Sequence, residues 1–531
     1  MAGNTEQIRK EVERRRTFAI ISHPDAGKTT MTEKLLLYGG AIRLAGSVKA
    51  RKTTKHAVSD WMDIEKQRGI SVTSSVLQFE YNDYCINILD TPGHQDFSED
   101  TYRTLMAADA AVMLIDGAKG VEAQTLKLFH VCKMRGIPIF TFINKMDRAA
   151  KNTFDLMQEL EDVLGIHSYA MNWPIGIDGD FKGVYNRHEK QVELYDGGNH
   201  GQSFVDSVSG SVDDPVFADL LGEYYHSRLM EEIELLDMAG DTFSVKDVLE
   251  CRLTPIFFGS AMTNFGVKTF LEHFIQMAPC PDETFAGDKL VNPVETPFSG
   301  FIFKIQANMN PAHRDRLAFM RITSGKFEKG MEVWHSKTGR KLRLTQPTQF
   351  MAQERTIIDE AYAGDIIGLF DTGLMGIGDT LSLNNNLKFD GMPVFPSEHF
   401  CRVQFADSMK RKQFQKGIEQ LAEEGAIQVF KQIDIGIETL IIGAVGVLQF
   451  EVLEHRLRGE YGVEIRMQTL PYRYARWIED PATDPRKLTL SSSTLAVTDK
   501  DGSNVLLFEN EWGIDWAKDK NKGLGLLDCK R

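Results

Sequence analysis

Four short segments in the first half of the chain carry side chains that can hold a nucleotide. Ser22-His23-Pro24-Asp25-Ala26-Gly27-Lys28-Thr29-Thr30 has the spacing of a phosphate-binding loop, GxxxxGK[ST], except that Ser22 stands where the first glycine is expected. Backbone N–H groups turned inward at a helix N-terminus make an anion cradle, Lys28 supplies a point charge for β and γ phosphates, and the Thr29 hydroxyl can ligate Mg²⁺. Asp90-Thr91-Pro92-Gly93-His94 offers a carboxylate, Asp90, that can hold a metal-bound water. Gly93 has no side chain to keep a backbone N–H away from a γ-phosphate. Asn144-Lys145-Met146-Asp147 places an amide three residues ahead of a carboxylate. That carboxylate can accept from both N1–H and the amino group of guanine, whereas adenine has no such donor pair and would leave buried polar groups unpaired. Lys145 can lay its aliphatic stem over the base, and Ser260 and Ala261 can form a second face of the base pocket. The chemistry expected is binding of GTP and GDP with Mg²⁺ and in-line attack of water on the γ-phosphate.

Each segment alone could be an ordinary turn or polar loop, so their placement matters. Residues 17–22 form a short apolar run before the first loop, which reads as a buried parallel strand, and residues 28–38 then read as a helix stopped by Gly39-Gly40. Residues 76–81 and 84–89 flank Asn82-Asp83 as a tight hairpin. A strand at 110–115, a helix at about 122–135, a strand at 137–143, a strand at 255–258 and a helix to about 276 complete a mostly parallel sheet covered on both faces. All four segments then fall at carboxyl ends of strands, where open α/β sheets bind ligands. Between the first two lies Gln67-Arg68-Gly69-Ile70-Ser71. Ser71 is expected to join the Mg²⁺ shell only with the γ-phosphate present, ordering the segment; the plainer reading is a solvated loop with an incidental serine.

At 531 residues the chain exceeds one hydrophobic core, and three domains are expected. The first, 1–280, is the α/β domain, with an irregular acidic insertion at about 178–246; a clustering of Pro, Gly and polar residues over 278–297 reads as a linker. Short alternating strands with glycine turns make 281–392 a small antiparallel β-barrel, and 393–531 an α+β module. No apolar run reaches the roughly 18 residues of a spanning helix, and the polar stretch 1–16 has no secretory pattern. The six cysteines lack metal-ligand spacing and suit reduced thiols in the cytoplasm. A net charge of −14 argues mildly against a protein that coats nucleic acid. Local basic patches at Arg14-Arg15-Arg16, Lys49 to Lys55 and Lys410-Arg411-Lys412 read first as solvated faces.

The motif set resembles the translational GTPases, and among them the bacterial class II release factors, the release factor 3 family. The stretches that carry the resemblance are SHPDAGKTT at 22–30, SDWMDIEKQRGIS at 59–71, DTPGHQDFSEDTYRTL at 90–105, FKIQANMNPAHRDRLAFMR at 303–321 and GAVGVLQFEV at 443–452. The tail from about Asp480 departs from the family pattern, and Trp512 and Trp516 read as packing aromatics. The resemblance implies a nucleotide domain, an elongation-factor-like barrel and a family-specific third domain in a cytoplasmic monomer that touches neither membrane nor DNA. It also implies a job: binding the terminating ribosome, promoting departure of class I release factors after peptide release, and leaving upon GTP hydrolysis. His94, just past Gly93, corresponds to the residue that orients the attacking water, Lys28 supports the charge, and ribosomal RNA completes the site, as activators do in related switches by ~10⁵-fold. An elongation-factor-like GTPase acting at another step of translation is the nearest alternative. More distant ones are a module that holds nucleotide without hydrolysis and a P-loop kinase, which would not need the Asn144 to Asp147 segment.

Overall fold

The computed structural model describes residues 2–41, 74–176, 180–195, 207–239, 242–307, 316–345, 347–351, 354–390, 392, 396–433 and 440–529. Ser71 and the Lys49 to Lys55 patch lie outside the described residues.

A helix not expected from the sequence, α1 (Ala2–Glu13), leads into β1 (Arg15–Ser22), every residue of which is buried. Then come α2 (Lys28–Tyr38), the hairpin β2 (Ser75–Tyr81) and β3 (Tyr84–Asp90), α3 (Ser98–Leu105), β4 (Ala110–Asp116), α4 (Ala123–Met134) and β5 (Ile139–Asn144). Asn82 and Asp83 have φ of 47° and 64°, the left-handed pair a type I′ turn requires, so the hairpin expectation holds for a local reason. Next are α5 (Thr153–Leu164), β6 (His167–Ala170), β7 (Asn172–Ile175), β8 (Gly183–Asn186), β9 (Gln191–Tyr195), β10 (Ser207–Ser211), α6 (Pro215–Leu221), α7 (Glu223–Ala239), α8 (Val245–Leu249), β11 (Leu253–Phe258) and α9 (Val267–Met277). The main sheet runs β2-β3-β1-β4-β5-β11-β6, parallel except for β2.

Strand side chains alternate between faces, and here the alternation divides the core. Ala19, Ile21, Met113 and Ile115 pack with Leu128, Phe129, Leu156 and Leu160 of α4 and α5. Phe18, Ile20, Val112 and Leu114 pack with Met31 and Leu35 of α2 and Phe270, Leu271 and Phe274 of α9. The parallel strands are apolar on both faces because helices cover both. Strands β7 to β10 form a separate antiparallel sheet in the order β10-β9-β8-β7.

The second domain is antiparallel. Its eight-stranded sheet is centred on Ser299–Ala307 and Arg316–Ser324, and its core takes Phe298, Ile302, Ile305, Met320 and Ile322 together with Val12 of α1. Arg321 Nη2 donates to both carboxylate oxygens of Asp109 in the first domain, at 2.8 and 2.7 Å, and Lys304 donates to Ser74. The C-terminal domain has another eight-stranded sheet, which includes His399–Phe405 and Leu440–Ala444, and helices α10 (Arg411–Glu423), α11 (Leu448–Tyr461) and α12 (Glu511–Lys520). Phe414, Ile418 and Leu421 of α10 pack with Leu453 and Leu457 of α11. Strands Thr494–Asp499 and Asn504–Phe508 of the tail sit inside this sheet, between Gln428–Gln432 and Tyr474–Ile478. Of the two tail tryptophans, Trp512 is 58% exposed and so is no packing aromatic of the core; it stacks beside Trp516 with ring centroids 5.1 Å apart.

Candidate nucleotide site

The four segments occupy the turns that leave the carboxyl ends of β1, β3, β5 and β11, on one edge of the sheet. Ser22 closes β1 and Lys28 opens α2. The intervening turn passes through left-handed backbone at Asp25 (φ 68°) and Gly27 (φ 100°). Gly27 cannot be replaced freely, because a Cβ there would fall 2.3 Å from Asn144 Nδ2. The first and third segments therefore pack backbone against side chain.

Lys28 Nζ lies 2.7 Å from Asp90 Oδ1 and also donates to the Thr91 carbonyl. Thr91 Oγ1 donates to Ile20 O at 2.7 Å, which fixes the second segment to β1. Pro92 and Gly93 continue the turn; the Gly93 α-carbon faces Pro24, whose Cα a Cβ would meet at 3.5 Å. Thr29 is half-buried and Thr30 buried at the start of α2, and His23 Nε2 stands 3.3 Å from Glu122 Oε1. His94 is half-buried; its Nδ1 accepts from the Asp96 backbone N–H at 3.2 Å and lies 3.4 Å from Asp96 Oδ1.

The base side is built around Asn144. Its Oδ1 accepts from the N–H groups of Lys145 (2.9 Å) and Ala261 (2.8 Å), and its Nδ2 donates to Ala26 O at 2.8 Å. One amide thus ties together the first, third and fourth segments. Met146 is fully buried and its N–H donates to Gly259 O, while the Ser260 hydroxyl accepts from Thr263 N–H at 3.3 Å. Lys145 adopts φ 70° and sends its ammonium to Asp25 O at 2.5 Å and Asp116 Oδ2 at 2.7 Å. Sequence reasoning misses Asp116, although its signal is there: an acidic residue ending an apolar run. Burial opposes its ionisation, but the hydrogen bonds from Lys145 and the Ala118 N–H outweigh this and hold its carboxyl below the ordinary value.

Buried polar atoms are normally paired, and four in these segments have no partner among the described residues: Ser22 Oγ, His23 Nδ1, Asp90 Oδ2 and Asp147 Oδ1. The Asp147 oxygen is an acceptor that suits the N–H edge of guanine, and the Asp90 oxygen is one that suits a hydrated divalent cation. The residues present therefore fit both groups. Ser71, the other expected metal ligand, lies outside the described residues.

Residues 13–280 match the family model described as the elongation factor Tu GTP binding domain, residues 297–384 elongation factor G domain 2, and residues 389–518 the C-terminal domain of class II release factor RF3. Peptide chain release factor 3 of Symbiobacterium thermophilum is 61% identical over 519 residues, covering 98% of each chain. Its namesake in Listeria monocytogenes is 55% identical, covering 98% of this chain and 99% of that one, and the one in Gloeobacter violaceus 52%, covering 97% of each. The chain belongs to the release factor 3 family. It is accordingly a translational GTPase of termination whose N-terminal domain binds guanine nucleotide. The family's C-terminal model extends to residue 518, so the tail after Asp480 is not a departure from the family, contrary to the expectation from sequence. A solved structure from Thermus thermophilus superposes with a TM-score of 0.68 at 19% identity, over 91% of this chain and 72% of that one, and agrees in fold. Among the described residues no helix is long and apolar enough to cross a membrane.

Proposed function

We propose that this protein works as a ribosome-stimulated GTPase that promotes dissociation of class I release factors after peptide release. The reading is supported above all by the hydrogen bonds through which Lys28, Asp90 and Asn144 tie all four segments together. The backbone of residues 22–28 and the Lys28 ammonium hold the phosphates. Asp147 reads the N–H edge of guanine, Ser260 and Ala261 form the second face of the base site, braced by Asn144, and the Lys145 stem covers the base. Thr29, Asp90 and Ser71 would hold Mg²⁺, which when bound neutralises charge on the β and γ phosphates. His94 orients the attacking water, and positioning with charge stabilisation accounts for the rate. We further propose a cytoplasmic monomer with domains over 1–280, including the insertion at about 178–246, 281–392 and 393–531. The ribosome, through its RNA and proteins, is its partner, together with the class I factors.

The test is GTP turnover with and without ribosomes carrying a bound class I factor, scoring release of that factor in the same reaction. Stimulated turnover with release is expected; stimulation without release would favour a related GTPase acting at another step. His94→Ala should keep GTP binding and lose stimulated turnover, and unaltered stimulated turnover would remove His94 from this role. A preference for GTP over ATP in direct binding tests the base reading.

A further inference from the structure

The stretch Gly443-Ala444-Val445-Gly446-Val447-Leu448-Gln449-Phe450-Glu451-Val452 helps mark the family but belongs to none of the four nucleotide segments. In the fold it turns from the strand Leu440–Ala444 into α11 and meets Asp96, two residues past His94. The first N–H groups of a helix have no partner within it. At α11 the Leu448 N–H is met from the other domain, 352 positions away in sequence: it donates to Asp96 Oδ2 at 2.8 Å. The turn that presents it is held in place. The N–H groups of Val445 and Gly446 donate to Gln449 Oε1 at 2.8 and 3.1 Å, and Gln449 Nε2 donates to Ala426 O at 3.0 Å.

Gly446 is what lets the carboxylate in. A Cβ at that position would fall 2.0 Å from Asp96 Cγ, so Asp96 would have to retreat by about 1.4 Å to reach ordinary contact at 3.4 Å. The same Asp96 holds the imidazole of His94, because its backbone N–H donates to Nδ1 at 3.2 Å. The same Nδ1 lies 3.4 Å from Asp96 Oδ1, so the backbone and the carboxylate of one residue together fix the plane of the ring. The C-terminal domain also grips the next helix: Arg103 of α3 donates to Gly425 O at 3.3 Å.

We infer that Asp96 is a positioning residue for His94 and is set from the C-terminal domain: the N-terminus of α11 holds the Asp96 carboxylate, and the turn so anchored holds the imidazole. Movement of the C-terminal domain against the nucleotide domain then changes turnover through His94. This rests on the role proposed for His94 in orienting water. It adds a route by which ribosome contacts on a distant domain reach the γ-phosphate side of the pocket.

The test uses the full chain with ribosomes and compares Gly446→Ala, Asp96→Ala and Asp96→Asn, each alone and combined with His94→Ala. Misplacing a catalytic group by about 1 Å costs on the order of 10²-fold, and that is the loss of stimulated kcat expected for Gly446→Ala and Asp96→Ala. GDP affinity and KM for GTP should stay within about threefold. Asp96→Asn keeps an acceptor for Leu448 and should retain most of the rate. In the His94→Ala background neither Gly446→Ala nor Asp96→Ala should cost anything further, a non-additivity that a merely structural role would not produce. Asp96→Ala adds no volume and carries the test if Gly446→Ala misfolds. Wild-type kcat in Asp96→Ala, or equal losses with and without His94, would overturn the inference while leaving the role of His94 standing. Wild-type turnover in His94→Ala would instead remove that underlying role.

Discussion

Removing one amide should loosen three loops at once. Asn144 accepts from Lys145 N–H and Ala261 N–H and donates to Ala26 O, all within 2.9 Å, and both Ala26 and Ala261 are buried. In Asn144→Ala the Lys145 N–H can turn to water, but the Ala26 carbonyl and the Ala261 N–H have nowhere to go. A buried group left unpaired costs about 1–3 kcal/mol, so the two together, after some relaxation, cost about 2–4 kcal/mol. In thermal unfolding this corresponds to a transition lowered by on the order of 5–15 °C for a unit the size of the nucleotide domain. Guanine nucleotides must then reorder the loops from their own binding energy, which predicts binding weaker by on the order of 10- to 100-fold. Titration with a fluorescent guanine nucleotide, alongside a melting curve of the nucleotide-free protein, reads both effects. A variant that binds within about twofold of the parent and melts at the same temperature would refute the reasoning, since no other side chain among the described residues is seen to bridge these three segments.

Two further outcomes follow from titratable groups. Because Asp116 is held below its ordinary value by Lys145 and Ala118, it contributes stability that is whole above its unfolded value, about 3.8, and is lost as pH falls through the lower folded value. Asp116→Asn should therefore flatten acid unfolding below about pH 4 and leave the slope between about pH 6 and 8 unchanged; an equal change of slope near neutrality would count against the Lys145 pair. Burial pushes the thiols of Cys85 and Cys132 up to about 12, so the thiolate is scarce at pH 8 and both should resist thiol reagents until the chain is unfolded. Labelling of either in the native protein as fast as in denaturant would contradict the packing described.

Much of the first domain could be read directly from the sequence because parallel strands covered on both faces are apolar runs, and β1 and β4 are buried along their whole lengths. Its loops were equally readable, since glycine, lysine and threonine at fixed spacing mark where a backbone must turn around phosphate. Some signals were present and passed over. Helix α5 has an Asn152 cap that accepts from Phe154 N–H, Leu156, Leu160 and Leu164 on one face, and Gly165 at φ 61° to end it. Strand β6 spans four residues beside β11, too short for its pattern to stand out. Trp512 shows the opposite error: an aromatic residue is usually assigned to a core on average grounds, and this one is 58% exposed.

Local chemistry was therefore settled along the chain: which groups can meet phosphate, which can meet guanine, and where the backbone reverses. Such features depend on neighbours a few residues apart, and spacing alone encodes them. Only the packed molecule could bring Lys145 onto Asp116, leave one oxygen each of Asp90 and Asp147 buried without a donor among the described residues, and seat α11 of the C-terminal domain on Asp96. Those outcomes arise from the summed weak contacts of three domains. No short stretch of sequence carries them, because a burial or a contact across hundreds of residues belongs to the assembled core rather than to either partner.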